Sequence, residues 1–247
     1  MNWCKYIAYK GLTSFSMIAA ATLGIALTAL TAPAATILID FGQSTTTTTA
    51  TGWNNVTNAG ANTVSNLVDS TGAATTFDLS IGTPAFTTTG GGISNTGTTA
   101  GPYPSTATSD FFFAFVSSTT ASGAQVILSD LSASTNYSFK FYASRVGGSG
   151  TRSTTYTATG LNAGSAVLEP SGNISNVAQV DNIQPTIGNV ISIDLFRTSL
   201  ALNSTGTVLL GVMEITTTPA PEPGTLSLLA FAGVPMLMRR RRTRLGA

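Results

Sequence analysis

"NYSFKFYAS" (136–144) decides the fold class. Tyr137, Phe139 and Phe141 alternate with Ser138, Lys140 and Tyr142, a period of two that sets aromatic rings on one face of a strand and the other side chains on the opposite face. Further strand candidates lie on both sides. "TILIDF" (36–41) is a short apolar run, and "DFFFAFV" (110–116) and "AQVILS" (124–129) flank a Ser/Thr/Gly turn. "STTYTATG" (153–160) follows the glycine-rich "VGGSG", which predicts a hairpin with a loop longer than two residues. "NVISIDLF" (189–196) turns Ile191, Ile193 and Leu195 inward, and "GTVLLGVMEI" (206–215) is apolar on both faces, as a central strand would be. No segment sustains a 3.6-residue apolar period. The expected fold is all-β, a single β-sandwich or jelly roll.

Composition agrees. Residues 35–218 contain 36 threonines and 23 serines, and threonine's β-branch favours strands. The 20 glycines of this segment punctuate turns. Residues 43–66 and 87–109 are polar and poor in large apolar side chains, and read as long loops laid over the sandwich. No repeat of solenoid length is visible.

Charge is segmented. The formal net charge of +1 divides into +2 over residues 1–34, −5 over 35–218 and +4 over 219–247. A mildly acidic middle argues against nucleic-acid binding, which wants a basic patch on the folded part. There is no histidine, and the one cysteine is Cys4, so Cys/His zinc sites and Ser-His-Asp or Cys-His catalysis are excluded from the middle segment. Lys140, the one lysine available there as a serine's base, reads as a solvated strand position. Most of the nine acids stand in turn contexts such as "VDSTG", where an aspartate bonds its own backbone. No catalytic residues, no metal ligands and no cofactor are expected, apart from a structural calcium ion conceivable near Asp69 or Asp181.

A binding face suits the middle segment better. Sugars are held by flat aromatic faces and a few directed polar groups. The candidates are Trp53 in "TGWNN", Tyr142 and Tyr156 on outward faces, and Arg145 beside Arg152 in "SRVGGSGTR". Trp53 could equally plug the space under its loop, and Arg145 could pair with an acid such as Asp110. Four Asn-x-Ser/Thr sequons, at Asn55, Asn136, Asn173 and Asn203, arise readily by chance in so threonine-rich a chain.

The two ends carry different signals. Residues 1–34 have a positive start at Lys5 and Lys10, an apolar stretch from Phe15 to Leu30, and small residues at Ala32-Pro33-Ala34, as a secretory signal peptide does. An uncleaved membrane helix is the alternative. Residues 219–247 contain Pro221, Glu222 and Pro223, then an uncharged run from Gly224 to Met238, then Arg239, Arg240, Arg241 and Arg242. As a helix that run spans about 22 Å, short of the ~30 Å hydrocarbon core. Snorkelling arginines and a thinned bilayer cover the shortfall. The arginines hold the C-terminal side in the cytoplasm, which places residues 35–218 outside the inner membrane.

This order of Pro-Glu-Pro, short apolar helix and arginine cluster resembles the PEP-CTERM sorting signal. The resemblance covers about 27 residues, Pro221 to Ala247. It implies recognition of Pro221, Glu222 and Pro223 by an exosortase, retention of the intermediate by Arg239–Arg242, removal of the tail, and delivery to the cell surface or extracellular matrix. A plain membrane anchor is the alternative. In the middle, "ILIDFG", "GWNN", "NLVDSTG", "LSDLSASTNYSFKFYASR", "YTATG" and "SNVAQVDNIQPTIGNVISIDL" occur in order along most of 37–215. Together they resemble a bacterial extracellular module of the galactose-binding-like jelly-roll type. The expected protein is therefore a secreted, non-enzymatic structural or interaction protein, with carbohydrate binding through loop aromatics as the alternative. Its expected partners are signal peptidase, exosortase, the inner membrane in transit, and exopolysaccharide.

Overall fold

Alternating apolar residues separated by glycine-rich turns form two sheets that enclose one core. The structure, a computed structural model, describes residues 34–60, 62–86, 93–94, 96–147, 149–199 and 201–220, with the backbone alone for 93–94. Residues 1–33 of the expected signal peptide (1–34), Pro221–Pro223, the apolar run and Arg239–Arg242 lie outside the described residues. No helix among the described residues is long and apolar enough to cross a membrane.

The strands in chain order are β1 (Thr36–Phe41), β2 (Trp53–Val56), β3 (Thr63–Val64), β4 (Asp78–Ile81) and β5 (Ile93–Ser94). After a single helical turn, α1 (Ser105–Thr108), come β6 (Phe111–Phe115), β7 (Ser122–Ser129), β8 (Thr135–Tyr142), β9 (Thr154–Thr159) and β10 (Ala163–Leu168). The last four are β11 (Ala178–Ile183), β12 (Ile191–Arg197), β13 (Thr207–Leu210) and β14 (Val212–Pro219). One sheet has the order β11-β8-β14-β1-β2 and the other β10-β9-β12-β7-β4-β3. All pairs are antiparallel except β1 with β2. A small third sheet, β13-β6-β5, adjoins them.

The alternation in β8 is realised. Tyr137, Phe139 and Phe141 are buried, while Ser138 and Lys140 are half-exposed on the outer face. From the opposing sheet, Ile191, Ile193 and Leu195 of β12 point inward, with Val126 and Leu128 of β7. The sheets meet at Phe141 and Tyr156, whose rings stack with centroids 4.5 Å apart. Burying side chains of this size supplies the main favourable term for folding.

Three expectations are corrected. The "VGGSG" segment does not close a hairpin, because β8 belongs to the five-stranded sheet and β9 to the six-stranded one. The chain crosses between layers there, and β9 forms its hairpin with β10. "GTVLLGVMEI" is not one central strand either. It breaks at Gly211 into β13 and β14, which lie in different sheets. Gly211 donates to Tyr142 O and accepts from Phe41 N, and a Cβ on it would come within 3.2 Å of the Asp110 and Tyr142 carbonyl oxygens. Backbone closes in from both sides, so the corner takes glycine. Finally, residues 43–66 are not all loop. They hold β2 and β3, and β2 extends the sheet beside β1.

Candidate functional site

The outward face of β8 and β14 is partly roofed. Tyr142, read in sequence as an exposed contact, is fully buried there with Ala107 of α1 and Val212, and Trp53 and Tyr103 pack against this group. Tyr103 meets Trp53 edge-on at 6.1 Å and Tyr142 at 5.9 Å. Trp53 is half-buried and lies in β2 rather than in a loop. The Tyr103 hydroxyl donates to Glu214 Oε2 at 3.0 Å, and Lys140 Nζ to Glu214 Oε1 at 2.8 Å. Burial, then the Glu214 charge, pushes the Tyr103 hydroxyl well above its ordinary range. This cluster ties the 96–110 segment to the sheet.

Tyr156 also departs from its expected outward placement. It points into the core, fully buried, and its hydroxyl donates to Leu209 O at 2.6 Å. Alternation fixes which residues of a strand share a face, but not which face is inner. In β9 the inner face carries Thr154, Tyr156 and Ala158.

The arginine loop is pinned. Arg152 is buried, and its guanidinium donates to Gly150 O, Ser149 O and Ser171 Oγ. Glu169 accepts from the Arg152 and Ser171 N–H groups and from the Ser153 hydroxyl. Burial acts to raise the Glu169 carboxyl, and these donors outweigh it, leaving it below the usual range. Arg145 does not pair with Asp110. Its guanidinium carbon stands 6.0 Å from the centre of the Phe111 ring, while Asp110 accepts from the Gln43 N–H and the Thr46 hydroxyl. Asp69 serves its own turn, accepting from Thr71 and Ala73, and Asp181 accepts from the Gln179 amide. Asn173 and Asn203 are buried, which closes two of the four sequons to glycan attachment.

Among the described residues, Phe115 is the large aromatic that remains open, 63% exposed. Phe111, Phe113 and Phe115 alternate along one face of β6, with ring spacings of 6.1 and 5.6 Å. The first two are buried, and the third emerges where the small sheet ends. It borders a groove of about 400 Å³ lined also by Val116, Ser117, Arg197, Ser204, Thr205 and Gly206. The groove is built rather than incidental. Arg197 Nε donates to Asn203 O at 2.7 Å, which orients the guanidinium. Asn203 is itself locked by Nδ2 donating to Ser153 O and Thr207 O, and by Oδ1 accepting the Thr207 N–H. Val116 N donates to Gly206 O at 2.6 Å and closes the floor. No acid lines the groove, and the ion pair among the described residues is Lys140–Glu214, so Arg197 has no carboxylate within 4.0 Å among them. Sequence reading passed over Phe115 because "DFFFAFV" looks uniformly apolar. The signal was the polar "SSTTASG" directly after it, which marks where the strand runs out of core.

No family model and no curated protein matches the chain. Among solved structures, the chain is similar to CBM35 from Cellvibrio japonicus Abf62. The two share 17% identity with a TM-score of 0.29, and the match covers 55% of this chain and 95% of that one. An agreement that low bears on neither ligand nor activity. The all-β sandwich stands on the strands and sheets themselves.

Proposed function

We propose that the protein is an exported, non-catalytic surface or matrix protein whose β-sandwich binds acidic polysaccharide in the Phe115–Arg197 groove. The carrying observation is Phe115, an exposed ring beside an oriented guanidinium with no carboxylate neighbour. The ring offers a flat apolar face for a sugar, and the guanidinium offers forked donors for a carboxylate. Ser117, Ser204 and Thr205 add hydroxyls at the rim. A positive, acid-free groove on a segment of net charge −5 favours an anionic ligand locally where the whole repels it.

The absence of catalysis is supported by the lack of histidine and by the placement of the acids. Asp40 and Asp110, which feel each other's charge, are both closed to solvent and cannot flank a substrate. Export and sorting through Pro221, Glu222, Pro223 and Arg239–Arg242 belong to the same proposal and rest on the sequence signals.

The test is a binding panel of the full chain against polygalacturonate, alginate and neutral glucans. Phe115→Ala is expected to weaken binding to the acidic members about tenfold, the equivalent of one lost stacking contact, with the melting temperature unchanged. Binding to none of them, or binding indifferent to Phe115→Ala, contradicts the proposal.

A further inference from the structure

Two carboxylates lie inside the protein without a base beside them. Asp40 of β1 is 2% exposed, and Asp110, just before β6, is 1% exposed. Each uses one oxygen. Asp40 Oδ2 accepts the Thr48 N–H at 3.1 Å, and Asp110 Oδ2 accepts the Gln43 N–H and the Thr46 hydroxyl. Each leaves Oδ1 buried with no hydrogen-bond partner. Neither has a Lys or Arg nitrogen within 4.0 Å among the described residues, whose ion pair is Lys140–Glu214. The two groups are close enough to interact. Burial first, and the Asp110 charge after it, push the Asp40 carboxyl up to about 7 against the Thr48 donors, and burial raises Asp110 as well.

A buried polar atom without a partner is rare and asks for an explanation. An uncompensated buried carboxylate is costly, and two side by side are more so. Among the described residues no base compensates them. Gly42, two residues beyond Asp40, has no Cβ, and one built there would collide with the Asp110 carboxylate. Gln43 N, Thr46 Oγ1 and Thr48 N donate to the Oδ2 atoms, and both Oδ1 atoms are left without a partner.

We propose that Asp40 and Asp110 together bind a hard divalent cation of calcium's class through their two unpartnered Oδ1 atoms. Such a cation takes oxygen ligands, which the pair provides. The chain has no histidine, and its one cysteine is Cys4, so a softer metal lacks its preferred ligands at this site. No cluster of three or more acidic groups exists among the described residues, so the remaining positions fall to carbonyl, hydroxyl or water oxygens. The bound ion fastens the loop from Gln43 to Thr48 to the end of β1. This site is independent of the Phe115 groove.

The test uses the full chain, stripped with EDTA, freed of chelator, and titrated with calcium chloride by calorimetry and thermal melting. One ion per chain is expected, with melting raised about 5–10 °C at a hundredfold excess over Kd. Affinity should fall at least tenfold from pH 7.5 to pH 5, as protons compete for the pair. Asp110→Asn should abolish the response, and Asp69→Asn, at an exposed turn, should retain it. Should Asp110→Asn fail to fold, the wild-type stoichiometry and pH dependence decide. No response to calcium or magnesium chloride overturns the proposal, as does a response that survives Asp110→Asn. So does an Asp40→Asn variant stabilised equally in calcium and in EDTA, which would assign a shared proton to the pair.

Discussion

At Asp40, burial reverses the usual behaviour of a carboxylate. Its ordinary value is 3.8, and in the folded protein it is pushed up to about 7, by burial first and by the Asp110 charge as the second raising cause. Between those values the folded state holds more protons than the unfolded state, so stability falls as pH rises from about 4 to 7. Denaturant melts in EDTA at pH 4.5, 6 and 7.5 should show this decline, and Asp40→Asn should flatten it. A stability that rises over the range in both proteins would contradict the assignment. Other residues show why the candidate site was only partly legible. The alternation around Tyr142 and Tyr156 was visible, but what covers each face was not. Tyr142 is roofed by α1 and Tyr103, and Tyr156 stacks on Phe141 from the opposing sheet. Both contacts come from residues distant in sequence. Phe115 was hidden for the opposite reason, since its apolar run gives no sign of where the sheet stops.

At the scale of elements, legibility followed the strength of alternation. The strands β1, β6, β7, β8, β9 and β12 coincide with runs visible in the sequence. The strands β2, β3 and β4 are two to four residues long, and β10 has an exposed, weakly apolar outer face, so none carries a clear period. Bends mattered as much as length. "GTVLLGVMEI" reads as one strand, yet Gly211 turns the chain from the small sheet into the five-stranded one. Gly211→Val should cost about 1–3 kcal/mol by crowding the Asp110 and Tyr142 carbonyls. Urea denaturation measures it, and an unchanged midpoint would show that the corner tolerates a side chain.

Across the whole molecule, the proposed glycan groove and the proposed sorting signal are tested separately. If Pro221–Pro223 is the recognition element, replacing all three residues with alanine should leave full-length protein in the inner-membrane fraction. Intact mass and fractionation would show it, and wild-type processing of the variant would remove the sorting reading without touching the groove. The acidic-glycan assignment rests on Arg197 lying in a groove without carboxylates. The most direct test is the affinity of the full chain for one acidic polysaccharide before and after its carboxylates are reduced to alcohols, for wild type and Arg197→Gln. Reduction should weaken wild-type binding at least tenfold, the order of one lost charge-assisted pair, and should leave Arg197→Gln unchanged. Equal wild-type affinity for the two forms would contradict the account.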